Sequence, residues 1–285
     1  MSLNGTYCDP ELIKNLLINT YQWNEDDIKI LKDDDGYDQP TRENILNAME
    51  DLVTGAQAGD RLLFSFSGHG SQVENLDGSE EDGFDEVIWP VDIVYNDDHS
   101  LVQNYIIDDH IHDILVKHMP GGAEIVMIFD SCHSGTAADL PCNTEVKTSV
   151  TSKRFANGQA LVTKHSMRHV LSEDQPQEPT VEFPDAAAEK FSRKFKEASL
   201  EATVQSWSAC RDDEITYDTS DGGLLVKGFA DTLQDTPNPT NGELLELISY
   251  HLIKRAAACQ AGHIADEVHP QLGSLHPILS DTFEL

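Results

Sequence analysis

Positive charge is scarce in this 285-residue chain: 19 Lys and Arg stand against 51 Asp and Glu, a formal net charge of −32. Nucleic-acid binders carry a basic footprint, so that class is excluded. The field of so acidic a protein favours cationic partners, either divalent metal ions or Lys/Arg-bearing peptides, and the same acidity serves solubility. No run of eighteen apolar residues exists, so no membrane span is expected. No basic segment followed by an apolar stretch opens the chain, so no signal peptide is expected. Five cysteines (Cys8, Cys132, Cys142, Cys210, Cys259) form no C-x-x-C pair. That argues against a zinc ribbon or a thioredoxin-like site. It suits a reducing compartment, the cytoplasm with the nucleus as an alternative. Internal repeats are also absent.

What is present is an alternation of strand-like and helix-like segments. Arg61–Ser67 and Ala123–Phe129 are short apolar runs bounded by Gly and Asp, the pattern of buried strands. Glu86–Trp89 and Thr203–Ser208 read as further strands. Asp9-Pro10 starts a helix, with Asp as the cap, Pro in the first turn and Leu12, Ile13, Leu16 and Leu17 as its apolar stripe. A second helix follows Pro40-Thr41, with Ile45, Met49 and Leu52 on its buried face. Others are expected at 108–118, 222–235 and 241–258, the last capped by Asn241. Residues 270–277 read as an irregular closing stretch. This alternation implies an α/β sheet covered on both faces. The pattern breaks between Pro141 and Ala202, which hold nine of the nineteen basic residues. That stretch reads as a flexible insertion with a short helix near 185–197.

Chemistry gathers where the two strong strands end. Ser67-Gly68-His69-Gly70 follows one and Asp130-Ser131-Cys132-His133-Ser134-Gly135 follows the other. In open α/β sheets, sites form at the carboxyl ends of strands. A thiolate is a strong nucleophile, and an imidazole beside it supports its ionisation. Most cysteines are merely small core hydrophobes, but polar flanks and a strand-end position point to catalysis by Cys132. His133 is a rival base. Adjacent residues point apart, so His69 is preferred. Gly70 and Cys132 can offer main-chain amides to a developing oxyanion. The remaining histidines, among them His110, His112, His118 and His251, read as surface residues on helices.

These motifs resemble the metacaspases of the caspase clan. So do Asp77–Asp85 with the following Val-Ile-Trp-Pro-Val-Asp92, Trp207–Asp213, and Pro270–Pro277. The resemblance spans residues 3–140 and 203–285, and a single insertion of about sixty residues is similar to the type I group. It implies a large-subunit-like part at 1–140, a linker at 141–202 and a small-subunit-like part at 203–285 of one fold. It also implies a monomeric cysteine endopeptidase that cuts peptides or proteins after Arg or Lys. By position, Cys132 is the nucleophile, His69 the acid/base, and Asp9, Ser67 and Asp130 the pocket for the basic side chain. Two carboxylates select a guanidinium or ammonium through charge-assisted hydrogen bonds; for Asp9 alone a helix cap is the simpler role.

The resemblance further implies calcium as an activator, at Asp85, Asp108, Asp109 and Asp139 with Glu86 as a neighbour. Hard cations take several oxygen ligands, although Asp108-Asp109 at a helix start also suits the helix dipole. An enzyme specific for basic residues would find autoprocessing bonds in the insertion, with Lys147, Lys153 and Arg154 nearest the nucleophile. Metacaspases carry an apolar strand ahead of the loop that residues 3–9 resemble, and only Met1-Ser2 precede it here. The expected fold is therefore a caspase-like, mostly parallel sheet with helices on both faces, from which the family's first strand is absent. Either another segment fills the gap or the sheet closes around it. The alternative function is a caspase-fold calcium-binding or scaffold protein with little proteolytic activity.

Overall fold

Uninterrupted apolar sequence makes the centre of the sheet. In the computed structural model, Glu124–Asp130 (β7) has five consecutive side chains, Ile125 to Phe129, with no exposure. Only a strand covered on both faces can bury every residue of such a run. The structure describes residues 3, 5–76, 78, 80, 83–96, 101–145, 202–212, 214, 218–219, 221–259 and 268–285.

In chain order the strands are β1 (Arg61–Ser67), β2 (Gly70–Glu74), β3 (Phe84–Ile88), β4 (Val94–Tyr95), β5 (Leu101–Gln103), β6 (Ile106–Ile107), β7, β8 (Cys142–Glu145), β9 (Thr203–Ser208), β10 (Asp218–Thr219), β11 (Gly222–Gly223) and β12 (Gln271–Ser274). The helices are α1 (Asp9–Asn19), α2 (Arg42–Val53), α3 (Asp108–Leu115), α4 (Leu224–Asp235) and α5 (Asn241–Cys259).

The central sheet has the order β1-β7-β9-β12-β8. Strands β1, β7 and β9 are parallel; β12 runs antiparallel to β9, and β8 antiparallel to β12. Four of the five strands therefore point the same way, as expected for a mostly parallel caspase-like sheet. β1 pairs directly with β7, from Arg61↔Glu124 to Ser67↔Asp130. Among the described residues no strand lies between these two and none precedes Arg61.

Alternation along β7 divides the core in two. Val126 and Ile128 pack with Ile13, Leu16 and Leu17 of α1, Leu225 and Phe229 of α4, and Leu244 and Ile248 of α5. Ile125, Met127 and Phe129 pack on the opposite face with Ile45 and Met49 of α2 and Ile111 and Leu115 of α3. Each such side chain contributes roughly 1.5–3 kcal/mol by leaving water. Trp207, Phe229 and Phe283 form an edge-to-face triad with centroids 5.5–5.8 Å apart, which ties the chain's last residues to β9 and α4.

Several expectations need correction. The segment 271–274 is a sheet strand, because the edge of β9 offers a ladder that even Gln-Leu-Gly-Ser can complete. Cys142–Glu145, taken as the start of the flexible insertion, is ordered as the edge strand β8 for the same reason. The cap of α5 is Thr240: its hydroxyl accepts the Glu243 amide, and the Glu243 carboxylate accepts the Thr240 amide, a reciprocal capping box. Asn241 instead donates its side-chain amide to the Ile278 carbonyl. The short helix expected near 185–197 lies outside the described residues.

Candidate active site

The hairpin β2–β3 begins where β1 ends, so residues 68–70 turn from the central sheet into a small sheet of order β2-β3-β6. The β1–β7 ladder continues one step past Ser67, with Gly68 N donating to Asp130 O at 3.2 Å. Gly70 then lies against the loop after β7. A Cβ added there would collide with the Cys132 carbonyl and sit 3.3 Å from Ser131 Cβ. Only glycine permits this approach. The fold thus brings the His69-Gly70 and Ser131-Cys132 segments together, with His69, Gly70 and Cys132 all half-buried.

The loop carrying Cys132 is held from behind. His133 adopts φ +53°; its amide donates to the Glu214 carbonyl at 3.2 Å, and Nδ1 is 2.5 Å from the Asp212 carbonyl. The Thr136 amide donates to Asp212 Oδ1 at 2.8 Å. Glu214 is fixed in turn by His269, whose Nδ1 is 2.5 Å from Glu214 Oε1. Asp212, recognised in the sequence only as part of a family-like segment, and Glu214, which the sequence does not single out, therefore clamp the loop and tie up the His133 ring. His112 was read as a surface histidine and is instead fully buried, with Nδ1 3.0 Å from the Ala138 carbonyl. Its helical face points inward because Ile111 and Leu115 do so too.

Burial also decides which cysteine can react. Cys210 makes weak hydrogen bonds to the Ser131 and Glu214 carbonyls at 3.5 Å. Burial, chiefly, pushes its thiol up to about 12. Cys132 is reached by solvent and Cys210 is not.

On the α1/α4 face, three more expected residues converge. Asp9 is not a helix cap. Cys8 occupies that position without a side-chain bond, and Asp9 Oδ1 accepts the Gly223 amide at 2.9 Å. Asp130 Oδ2 accepts the Val226 amide, in the first turn of α4, at 2.9 Å. Both carboxylates are almost wholly buried. A Cβ on Gly223 would clash with the Asp130 carboxylate and lie 2.9 Å from Asp9 Oδ2, so the two acids flank one point. Ser67 is the register partner of Asp130, and its buried hydroxyl makes no hydrogen bond among the described residues. Parallel register partners share a face, which puts Ser67 beside the two acids.

The expected calcium ligands are less closely gathered. Asp108 is buried; its Oδ1 accepts the Asp109 amide at 2.8 Å and its Oδ2 the Glu86 amide at 3.4 Å. Asp85 accepts from Asn75. Asp139 lies at φ +51° after the loop that carries Cys132. Among the described residues, no three His, Cys, Asp or Glu side chains are disposed to hold a metal ion. The donor type suits a hard cation; the disposition does not yet form a cage. Between these acids Glu86 takes hydrogen bonds from Gln72 and Thr136. Burial and then the Asp212 carboxylate raise it to about 7. Lys147, Lys153 and Arg154 lie outside the described residues, and no helix among those described is long and apolar enough to cross a membrane.

A family model and curated relatives agree with the family resemblance. The family model described as "Metacaspase, peptidase C14 domain" matches residues 1–141. The chain is 34% identical to Metacaspase-1 of Pyricularia oryzae over 288 residues, covering 97% of this chain and 68% of that protein. It is 33% identical to Metacaspase-1 of Cryptococcus neoformans, covering 97% of this chain and 60% of that protein. Over 141 residues it is 49% identical to Metacaspase-1 of Saccharomyces cerevisiae, covering 49% of this chain and 31% of that protein. The crystal structure of caspase-1 from Spodoptera frugiperda aligns with 96% of this chain and 80% of its own at a TM-score of 0.48 and 11% identity.

Proposed function

The chain belongs to the metacaspase family and carries its peptidase domain, and on that footing we propose that it is a calcium-activated cysteine endopeptidase cutting after Arg or Lys. The observation that carries the specificity is the meeting of Asp9 and Asp130 at Gly223, one strand end away from Cys132. Two buried carboxylates with a serine hydroxyl beside them match a guanidinium or ammonium, and offer nothing to an acidic side chain.

With its proton held by His69, the Cys132 thiolate adds to the carbonyl carbon of the basic residue. The Gly70 and Cys132 amides receive the oxyanion. His69 then protonates the leaving amine, and the acyl–enzyme forms as the C–N bond breaks. Water, deprotonated by His69, releases the acid and restores the thiol.

Asp85, Asp108, Asp109 and Asp139 are the residues that would hold calcium. Bound there, calcium would supply charge neutralisation beside Glu86, whose amide Asp108 accepts and whose carboxylate accepts from Thr136 on the loop of Cys132. It takes no part in bond making. Autoprocessing at Lys147, Lys153 or Arg154 belongs to the same proposal, since these bonds match the pocket and follow the nucleophile closely in sequence.

The test is hydrolysis of fluorogenic peptides ending in Arg, Lys or Asp, with calcium and with chelator. Turnover of the Arg and Lys peptides alone, dependent on calcium, is expected. Turnover of none from folded protein would sink the proposal and favour a calcium-binding or scaffold role.

A further inference from the structure

Trp89 is tied to His69 by both main chain and ring. Its amide donates to the His69 carbonyl at 3.0 Å, one step beyond the last β2–β3 pair, Gly70↔Ile88. The indole and imidazole centroids are 5.6 Å apart with the planes tilted by 47°, within the range in which aromatic rings constrain one another. The indole is itself fixed from two further directions. Nε1 donates to Ser71 Oγ at 2.9 Å, and the ring stacks on Tyr95 at 6.1 Å and 27°. Pro90 follows directly and restricts the Trp89 backbone to extended conformations. A half-buried tryptophan held at backbone, ring nitrogen and ring face, with the imidazole on one side, does more than fill space.

We propose that Trp89 is a positioning residue for His69: it sets the imidazole against Cys132 and in line with the leaving amine, with Ser71 and Tyr95 holding the indole in place. This rests on the dyad reading given above. The step most sensitive to imidazole placement is protonation of the amine as the C–N bond breaks, since a misplacement of about 1 Å can cost on the order of 100-fold. Thiolate attack on a thioester releases a thiolate that needs no proton and is less sensitive.

The experiment compares Trp89→Ala, Trp89→Leu, Trp89→Phe and Tyr95→Ala in the full chain. Two substrates share one Arg acyl group: a peptide amide and its thiobenzyl ester. Trp89→Ala and Trp89→Leu are expected to lower kcat/KM for the amide about 10-fold or more and for the thioester less than about 3-fold. Trp89→Phe is expected to restore most of the amide rate, and Tyr95→Ala to fall between. Leu keeps apolar volume without the ring, so it carries the test if the alanine variant does not fold. Equal losses on both substrates, or an amide rate within two-fold of wild type in Trp89→Leu, would overturn the proposal.

A second arm needs no peptide: iodoacetamide alkylation of Cys132 in wild type, His69→Ala and the Trp89 variants. Trp89→Leu should slow alkylation in the direction of His69→Ala but by no more than the roughly 3-fold expected for the thioester, and a wild-type rate would overturn the proposal. Failure to turn over either substrate, with this alkylation pattern intact, would sink the Arg/Lys reading and leave the role of Trp89 supported. Equal alkylation of wild type and His69→Ala would remove the dyad, and the proposal with it.

Discussion

Asp9, in the first turn of α1, and Asp130, the last residue of β7, direct their carboxylates to one place, the main chain just before and inside the first turn of α4. The Gly223 and Val226 amides are free donors of a helix N-terminus, and the positive end of the α4 dipole favours the negative charge they meet. The two acids are thus fixed and ready before any basic side chain arrives. Asp130→Asn keeps the shape and removes one charge. The charge-assisted bond it would lose is worth about 1.5–3 kcal/mol. In a peptidase assay kcat/KM for Arg peptides should therefore fall roughly 10- to 100-fold, with Cys132 alkylation unchanged.

Gly223 offers a steric probe of the same pocket. Its φ of −61° and ψ of 154° are open to any residue, so Gly223→Ala does not strain the backbone. Its methyl group enters the space between the carboxylates and overpacks it at about 1–3 kcal/mol. Cleavage after Arg should fall at least as far as in Asp130→Asn. Gly222, at φ +136°, would instead lose stability with any side chain. Both alanine variants should melt below wild type, and peptide cleavage measured where each is still folded reads the pocket effect of Gly223→Ala.

The cysteines differ in reactivity for a stated cause. With its thiol raised to about 12 by burial, Cys210 presents almost no thiolate at pH 8. Brief iodoacetamide treatment of the native protein at that pH, followed by peptide mass mapping, should label Cys132 and the exposed Cys8 and spare Cys210. Cys210 should label only after denaturant is added.

Glu86 makes stability depend on pH. Its folded value, about 7, stands above the ordinary 4.5, so between these limits the folded chain holds a proton that the unfolded chain releases. The stabilisation is complete below about pH 4.5 and is lost as pH rises through 7. Its upper size is on the order of 3 kcal/mol. In chelator, Glu86→Gln should match wild type near pH 5 and melt several degrees higher at pH 8. Parallel Tm curves for the two proteins would contradict the raised value.

Much of this molecule can be read from its sequence where burial is uniform and contacts are local. β7 announces itself because every residue from Ile125 to Phe129 is apolar, and Gly70 beside His69 and Gly135 on the loop of Cys132 mark close backbone approach. What escapes is set by partners distant in sequence. Gln271–Ser274 has no strand pattern of its own and takes its conformation from the edge of β9. Asp9 has the local signature of a helix cap, yet its partner is Gly223. His112 looks like a surface residue until α3 is rotated onto the sheet by Ile111 and Leu115. Trp89 lies in the family-like stretch ending at Asp92, yet that pattern assigns it no role; its packing on His69 does.

The central claim is that Cys132 is a nucleophile served by a pocket for basic side chains. An irreversible ketone probe with an Arg side chain, incubated with the folded protein and calcium and mapped by mass spectrometry, tests it directly. The expected result is one adduct, on Cys132, formed far more slowly in Asp130→Asn and not formed by the corresponding Asp-bearing probe. No adduct on Cys132, or equal labelling by the Arg and Asp probes, would contradict it.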